Sequence, residues 1–416
     1  MTSLKPARVL IPLGLAVALS LFGDLTLYAV LVTQLDVVGL SLAAVGIMLG
    51  VNRLIRIPGN PISGLFYDRF GRRRLFLLGM TLGVISTAGY AMLRGFWPFL
   101  AMRLTWGIAW TLIHVGGMAM VLDISTPANR GRLTGIYNTW VLAGLGLGPL
   151  IGALLVDGYG FQAGMLACAT ITTIGLLIAL VALPETAPHL RQTRLRVQRT
   201  GQGWRAQLKR LFPTLATALL DSNRGLVTAS LIYLIVMFAG GGVVLSTISL
   251  LLQQHFGDEV VVMGVLVGVA TLAGLMLGMR SLLAGLSGPL AGHWSDSRAA
   301  RWSVIAASLV VGILGFTVLG FVQLPSAILA GVALSAISSG AALAILTAQV
   351  GDLAPAGKQG AVMGGYATMG DIGSALGPLV AFALVPFIDL RWVYLLCSLT
   401  FAAGLVLIWR YRRNLQ

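Results

Sequence analysis

The sequence has few charged residues and almost no cysteine. Of its 416 residues, 10% are charged, 57% are hydrophobic and 2 are cysteines. A water-soluble protein of this length would leave much of that apolar surface exposed, so the composition excludes an ordinary soluble domain and favours a chain that folds in lipid. Cys168 and Cys397 both lie inside apolar runs, which excludes a disulfide framework and a cysteine-based metal site.

Catalytic motifs are also missing from the sequence. It contains no ATP-binding loop, no residues at metal-ligand spacing and no Ser/His/Asp arrangement. We therefore expect neither an enzyme nor a protein that carries a metal or another cofactor.

Acidic residues are scarce as well, with 13 Asp and Glu against 28 Lys and Arg and a formal net charge of +15. In a soluble protein this excess would suggest nucleic-acid binding. Here the basic residues cluster in short connectors between apolar runs, which is the distribution that the positive-inside rule describes for membrane proteins. We therefore expect no nucleic-acid partner.

Long apolar runs make up most of the chain. A helix needs about 20 apolar residues to cross the bilayer core, and a chain in lipid must satisfy its backbone hydrogen bonds internally. The sequence therefore predicts an all-α membrane protein with twelve transmembrane helices, at residues 9–33, 40–66, 75–93, 97–121, 133–156, 162–183, 226–252, 260–291, 302–322, 326–350, 361–387 and 392–410. The first run lacks a small-residue cleavage site, so we interpret it as a spanning helix and not as a signal peptide.

The connectors between these spans differ in charge on the two sides of the membrane. One side holds most of the basic residues, namely Lys5, Arg8, Arg69, Arg72, Arg73, Arg74, Arg130, Arg132, the segment from Arg191 to Arg224, Arg298, Arg301, Lys358, Arg410, Arg412 and Arg413. The opposite side holds only Arg94 and Arg391. This asymmetry predicts a multi-pass protein of the cell membrane with both termini in the cytoplasm.

The two halves of the sequence match at an offset of about 228 residues. The segments PISGLFYD (61–68), DISTPANRGRLTGIY (123–137) and GLGLGPL (144–150) align with PLAGHWSD (289–296), DLAPAGKQGAVMGGY (352–366) and GSALGPL (373–379). The repeat predicts two six-helix bundles, 1–183 and 226–416, joined by a basic linker at 184–225. Within the linker, WRAQLKRLF (204–212) has the pattern of an amphipathic helix, which would either rest on anionic headgroups as a simple connector or serve regulation.

Three motifs resemble those of the major facilitator superfamily of secondary transporters. GLFYDRFGRRR (64–74) resembles the loop motif between its helices 2 and 3, RLTWG (103–107) its helix 4 motif, and GLGLGPLIGA (144–153) the helix 5 motif of its antiporter branch. The matching positions are Gly64, Asp68, Arg69, Gly71, Arg72, Arg73, Arg103, Gly107, Gly144, Gly148, Pro149 and Gly152, with Asp296, Gly377 and Pro378 in the second repeat. Ala153 stands where a glycine is usual, and Ser297 and Ala299 interrupt the second loop motif.

The resemblance covers nearly all of the chain. It implies the fold of that family, in which two six-helix bundles surround a central cavity that opens alternately to the two sides of the membrane. It also implies that Asp68, Arg72 and Asp123 form a cluster that closes the cytoplasmic side; the alternative is that they only anchor the loop. The glycines of the helix 5 motif would allow another helix to approach closely.

Ionisable residues also occur deep inside the predicted spans, far from either end: Asp24, Arg53, Arg56, Arg103, Arg280 and Asp371. A charge at this depth is costly, so each should face a partner or a cavity. Their depths predict an Asp24–Arg103 pair and an Arg53–Asp371 pair, and the repeat places Arg280 where the first half has Asn52. On one continuous helix, Arg53 and Arg56 would share a face.

These residues suggest a binding site and a proton path. Arg53, Arg56 and Arg280 would hold an anionic group of the substrate, because arginine binds carboxylate and phosphate bidentately. Asp24 or Asp371 would carry a coupled proton, assisted by Arg103 and His114. Tyr28, Tyr137, Asn138 and Trp140 would line the cavity. The alternative for the arginines is a role in gating and packing, and for His114 that of a hydrogen-bonded core residue.

The sequence thus predicts a monomeric, proton-coupled efflux antiporter for a drug or metabolite, whose partners are a small-molecule or lipid-like substrate, protons and membrane lipids. The alternative is an organic-anion or phosphate-ester carrier, or a flippase for an anionic lipid, which the excess of buried arginine would favour.

Overall fold

The structure is a computed structural model that describes residues 5–126, 129–186, 224–262, 265–295, 298–321, 324–355 and 359–413. Most of the predicted linker 184–225 lies outside the described residues, and so does Asp296. Asp68 lies within a helix, but its side chain is outside the described part. The predicted roles of Asp68 and Asp296 in the gate therefore stay predictions.

The first half of the chain forms seven α-helices among the described residues. They are α1 (Pro6–Val30), α2 (Leu35–Val38, after a 3-10 turn at Val32–Gln34), α3 (Leu42–Leu54), α4 (Arg56–Phe70), α5 (Arg72–Met92), α6 (Phe96–Asp123) and α7 (Arg130–Ala182). The ends of α4 and α5 meet at Gly71, whose φ of 94° is a conformation that glycine adopts without a side-chain clash.

Among its described residues, the second half is mainly helical and contains one short two-stranded sheet. It contains α8 (Arg224–Val236), a π-helix (Met237–Val244), α9 (Leu245–Phe256), the strands β1 (Glu259–Val262) and β2 (Val265–Gly268), α10 (Val269–Trp294), α11 (Arg298–Phe321), α12 (Pro325–Leu353), α13 (Gln359–Leu384) and α14 (Leu390–Arg413). The two strands pair with each other in a two-stranded sheet.

Eleven helices of the described residues are long and apolar enough to cross a membrane. One of them, α7, has 53 residues and is interrupted at Gly160, where φ is 81°. A straight helix of that length would measure about 80 Å, far more than a bilayer core, so α7 supplies two spans and the total rises from eleven to twelve. The predicted all-α membrane fold with twelve spans is confirmed.

Two predicted spans differ from the structure in detail. The span 260–291 was expected to be helical throughout, but α10 begins only at Val269. The preceding residues form β1 and β2, because their valine runs are β-branched and favour strands. The span 40–66 corresponds to the candidate span Leu42–Tyr67, in which one helical hydrogen bond is missing near Ile55, since Pro58 has no N–H to donate to the carbonyl of Leu54 four residues earlier.

Contacts divide the chain into two compact units. The first comprises the described residues of Met1–Leu40, Leu54–Arg210 and Val261–Leu275. Within it, α1 packs along α7, α5 packs against α6 and α7, and α4 packs against α6.

The second unit comprises the described residues of Ser41–Arg53, Leu211–Val260 and Met276–Gln416. Within it, α11 packs against α12 and α14, and α13 packs against α8 and the π-helix. By these contacts α3 belongs almost wholly to the second unit and the start of α10 to the first. The predicted boundaries 1–183 and 226–416 stay a prediction.

Candidate functional site

A buried ion pair lies in the first unit, between α1 and α6. Nη1 of Arg103 donates a hydrogen bond to Oδ1 of Asp24. Arg103 is 0% exposed and Asp24 is 5% exposed, so the pair lies inside the protein and away from lipid. Asp24 and Arg103 were predicted to pair because they lie at a similar depth in their spans, and the structure brings them together. Their role in proton coupling stays a prediction.

Two tyrosines surround the guanidinium of this pair. The rings of Tyr28 and Tyr90 each have their centre 5.9 Å from Cζ of Arg103. Nη1 of Arg103 also donates to the Tyr90 hydroxyl at 3.5 Å, and that hydroxyl donates to the carbonyl of Met102 at 3.3 Å. The sequence had suggested that Tyr28 lines a cavity, whereas the structure places it, 2% exposed, against Arg103. Sequence reasoning missed Tyr90, because nothing in its neighbourhood distinguishes it from a packing residue.

We expect Tyr90→Leu to weaken this arrangement and Tyr90→Phe to preserve most of it. A cation over an aromatic face is stabilised by about 0.5–2 kcal/mol, and phenylalanine keeps the face while leucine does not. The melting temperature of the purified protein should therefore fall in the order wild type, Phe variant, Leu variant. Tyr159→Leu is the matched control, since Tyr159 is 75% exposed. Equal melting temperatures for Tyr90→Leu and Tyr159→Leu would contradict this prediction.

His114 lies further along α6, at the end of a ladder of stacked rings. The rings of Trp106 and Trp110 are 6.2 Å apart, and those of Trp110 and His114 are 5.4 Å apart with an angle of 19°. This stack orients the imidazole, while its part in proton transfer stays a prediction.

A second polar cluster lies at the N-terminus of α5. Oε1 and Oε2 of Glu185 accept hydrogen bonds from the backbone N–H groups of Arg72 and Arg73, at 3.0 and 3.1 Å. Oδ2 of Asp123 accepts from Nε of Arg72 at 3.0 Å and from the hydroxyl of Thr186 at 2.9 Å. Glu185 therefore satisfies two backbone groups that every helix N-terminus leaves open, and its charge opposes the helix dipole.

This cluster joins Arg72 and Asp123, as the family resemblance implied, and adds two residues that the sequence reasoning missed. Glu185 and Thr186 follow the sixth predicted span, and the only available signal was that an acid is rare in a chain with 13 acidic residues. Around it, Nη2 of Arg73 donates to the carbonyl of Leu180, and Arg69 lies over the ring of Phe70 at 5.4 Å. A β-carbon at Gly64 would meet nothing within 4 Å.

Glu185→Ala should destabilise the first turn of α5. Loss of a side chain that caps a helix N-terminus costs about 0.5–2 kcal/mol, and Glu185→Gln should cost less because one oxygen remains. Glu259→Ala is a suitable control, since Glu259 is exposed in β1. Hydrogen exchange at the amides of Arg72 and Arg73, followed by mass spectrometry, should accelerate only in the Glu185 variants. Unchanged exchange in Glu185→Ala would show that the cap contributes nothing.

The second unit contains a related pair. Nη1 of Arg301 donates to Oδ2 of Asp352 and, at 3.3 Å, to the carbonyl of Ala348. Asp352 is the repeat counterpart of Asp123, so the Arg–Asp pair is present in both halves although the second loop motif is interrupted at Ser297 and Ala299.

Three charged residues that were predicted to lie deep in the membrane belong to the second unit. Arg53 is in α3, Arg280 in α10 and Asp371, 7% exposed, in α13. Arg53 and Arg280 lie close enough for their charges to repel each other. The predicted Arg53–Asp371 pair stays a prediction. Arg56 begins α4, and Ile55 between it and α3 has helical φ and ψ of −65° and −22° within the single candidate span Leu42–Tyr67, so the expectation that Arg53 and Arg56 share a face stays a prediction.

The helix 5 motif produces close packing between α1 and α7. A β-carbon at Gly144 would lie 2.7 Å from the carbonyl oxygen of Ala18, and one at Gly148 would lie 3.4 Å from that of Leu21. At Gly152 the space is filled by Thr26, whose hydroxyl donates to the carbonyl of Phe22 at 2.6 Å. The glycines therefore permit backbone contact that any side chain would prevent.

The remaining motif glycines and prolines also lie at close contacts. Within the first unit, a β-carbon at Gly274 would lie 2.5 Å from the carbonyl oxygen of Pro149. Within the second, the backbone of Gly377 touches that of Gly242, and a β-carbon at Gly46 would lie 2.7 Å from the carbonyl oxygen of Pro378. Their predicted role in gating stays a prediction.

Three residues expected to line a cavity have different surroundings. The indole of Trp140 occupies the space beside Gly14 in α1, and Tyr137, 0% exposed, packs against Gly117 in α6. Asn138 is exposed. Trp140 and Tyr137 thus take part in packing, and the predicted binding role of all three stays a prediction.

The comparisons with known proteins agree with this architecture. The chain matches the Major Facilitator Superfamily over residues 13–280 and 270–415. It is 24% identical over 369 residues to mouse major facilitator superfamily domain-containing protein 10, covering 86% of this chain and 76% of the mouse protein. It is 25% identical over 344 residues to the Escherichia coli class C tetracycline resistance protein, covering 82% of this chain and 79% of that protein.

A solved structure with the same fold is the crystal structure of the human organic anion transporter MFSD10 (TETRAN), at a TM-score of 0.69. The two are 20% identical, and the alignment covers 97% of this chain and 100% of the human one. With the family match spanning almost the whole sequence and the twelve-span fold in agreement, the chain belongs to the Major Facilitator Superfamily of transporters.

Proposed function

We propose that the protein is a proton-coupled antiporter that exports a small organic solute by alternating access. The observation that carries this proposal is the Asp24–Arg103 pair, buried within membrane-spanning helices. A charge pair in this setting has a high desolvation cost and is seldom retained for stability alone. Arginine stays charged at any working pH, so protonation of Asp24 is the event that can open the pair.

The tyrosines provide a reason why the pair can open at a tolerable cost. When Asp24 is neutral, the Arg103 charge still faces the rings of Tyr28 and Tyr90. Proton uptake by Asp24 would therefore loosen the contact between α1 and α6, while the tyrosine rings still stabilise the charge of Arg103. Solute binding or release could be coupled to this loosening. Asp371 and His114 remain secondary candidates for the proton path.

Export as the direction is supported by the relatives. The tetracycline resistance protein is 25% identical to this chain over 344 aligned residues, and the multidrug resistance protein MdtG of Enterobacter lignolyticus is 24% identical over 358. A membrane enzyme or receptor is disfavoured, because the family is one of transporters.

Proteoliposomes filled with a pH-sensitive dye test the coupling without a labelled substrate. Tetracycline, ethidium and benzoate would be added in turn, with protein-free liposomes as the control for passive entry of weak acids and bases. Antiport predicts that at least one solute raises the internal pH only when the protein is present. Exchange of a solute across the membrane with no accompanying proton movement would refute the coupling.

A second candidate is a carrier of small organic anions. It is favoured by Arg280, which has no ion pair among the described residues and lies near a second arginine. The human relative described as an organic anion transporter supports the same class of substrate. Proton coupling and anion specificity are compatible, and the benzoate arm of the assay addresses both.

We also propose that the protein lies in the cell membrane with both termini in the cytoplasm. The native cysteines, Cys168 and Cys397, are buried, so single cysteines introduced at exposed positions report sidedness. A cysteine at position 200 should resist an impermeant thiol reagent in intact cells, while one at exposed Asp36 or its neighbour Val37 should react. The opposite labelling pattern would show that the termini lie on the outer side of the membrane and would contradict this proposal.

A further inference from the structure

Arg280 differs from the other intramembrane arginines in what surrounds it. Within the described part of the chain its side chain makes no ion pair, and its Nε is buried without a hydrogen-bond acceptor. A guanidinium carries five N–H donors and stays charged, so a buried one normally ends on a carboxylate or on carbonyl oxygens. Nε of Arg73 and of Arg301 also lack an acceptor, but those two side chains bond to the carbonyl of Leu180 and to Asp352 through their other nitrogens.

The position of Arg280 on α10 directs it toward protein and away from lipid. Leu282 and Leu286 on the same helix are 59% and 65% exposed and mark its lipid-facing side. At 3.6 residues per turn, Arg280 lies roughly 120–160° around the helix from these leucines. Snorkelling to the lipid headgroups therefore does not explain it.

The backbone opposite Arg280 has an uncommon form. The π-helix Met237–Val244 contains three consecutive glycines, Gly240, Gly241 and Gly242. A β-carbon at Gly240 would lie 3.0 Å from Nη2 of Arg280 and would collide with the hydroxyl of Ser339. Short π-helical segments occur frequently at functional sites. In this protein the π-helix places the backbone of Gly240, which has no side chain, next to Nη2 of Arg280.

The electrostatics of the same region favour an anion. Arg53, in the same unit, adds a second positive charge that repels Arg280. The hydroxyl of Ser339 donates to the carbonyl of Ser335 at 2.7 Å and is neutral, so it does not balance the charge of Arg280. A bound anion would accept a hydrogen bond from Nε of Arg280 and reduce the repulsion between the two guanidinium groups.

We propose that Arg280 and the glycine-rich π-helix form an anion-binding subsite that takes the oxyanion of a small organic acid. The guanidinium fork would bind two oxygens of a carboxylate or phosphate, and the lack of a side chain at Gly240 lets the backbone of the π-helix lie close to Nη2. The inference rests on the proposed transport function only in making this bound anion the transported solute.

Direct binding to the purified full-length protein in detergent tests the subsite independently of transport. Benzoate and phenyl phosphate are the anionic probes, and benzamide is the neutral isostere of benzoate. Thermal unfolding is measured at constant ionic strength, because a ligand that binds the folded state raises the melting temperature with its concentration. We expect at least one anion to stabilise the wild type at concentrations at which benzamide has no effect.

Two variants and one control assign the effect to Arg280. Arg280→Gln should weaken the binding of the anion about ten- to a hundredfold, and Arg280→Lys should fall between, because it keeps the charge and loses the fork. Arg391→Gln makes the same chemical change at an exposed arginine that pairs with Asp389 at 2.9 Å, and it should bind like the wild type. Arg280→Lys also serves if the Gln variant does not fold.

The outcomes separate this inference from the proposed function. Equal stabilisation of wild type and Arg280→Gln, or no anion better than benzamide in the wild type, would overturn the subsite. Stabilisation by phenyl phosphate alone would assign the site to phosphate esters, and adding short-chain phosphatidylglycerol would then distinguish a lipid headgroup from a soluble ester. Solute-driven proton movement that persists with no anion binding would overturn the subsite and leave the antiporter standing.

Discussion

Arg103→Ala should reduce the yield of folded protein more than any other single change at an intramembrane charge. The substitution leaves Asp24, 5% exposed, without its partner inside the first unit. Removal of one member of a buried pair typically costs about 3–5 kcal/mol, because the remaining charge keeps its desolvation penalty. Size-exclusion chromatography of the solubilised protein should show mostly aggregate.

The double variant Asp24→Asn/Arg103→Gln separates the folding effect from the functional one. Both charges are gone, so the desolvation penalty disappears and a monodisperse protein should return. That protein should bind solute but show no response to a pH gradient. If Arg103→Ala alone gives as much monodisperse protein as the wild type, Asp24 has another partner of equal strength and the pair is not the organising feature of this region.

Gly144→Val should separate α1 from α7. A β-carbon at Gly144 already falls 2.7 Å from the carbonyl oxygen of Ala18 and 3.0 Å from its Cα, so the backbones themselves must move apart. Overpacking of a close interface costs about 1–3 kcal/mol and more when the obstacle is backbone. We expect a large loss of thermal stability and of transport.

Gly135→Val is the matched control on the same helix. A β-carbon at Gly135 would meet nothing within 4 Å, and the position is exposed. Valine there replaces a poorer helix former, so stability should be unchanged or slightly higher. Equal destabilisation by the two substitutions would point to a general need for glycine in α7 and not to contact with α1.

The sequence predicted the membrane architecture because the rules involved are simple. Hydrophobic length sets the number of spans, so twelve spans were foreseeable, and the family resemblance implied the Arg72–Asp123 contact. The Asp24–Arg103 pair could be predicted because two opposite charges at a similar depth in the membrane have few other groups with which to pair.

The local departures could not be read from hydrophobicity alone. The missing helical hydrogen bond near Ile55 arises because Pro58 lacks one backbone donor, and β1 and β2 arise from the shape of valine. Tyr90 and Glu185 were missed because their importance lies in partners that are remote in sequence, Arg103 and the first turn of α5. Such contacts follow from packing, which a single sequence does not specify.

The most direct test of the account is to compare gradient-driven accumulation with passive exchange of the same solute in Asp24→Asn. The solute is the one identified by the dye assay, and Asp36→Asn is the control, because Asp36 lies in the short helix Leu35–Val38 away from the ion pair. If Asp24 carries the coupled proton, Asp24→Asn should exchange labelled for unlabelled solute at a rate near that of the wild type, yet fail to accumulate it against a gradient. Accumulation by Asp24→Asn that matches both the wild type and Asp36→Asn would contradict the central claim.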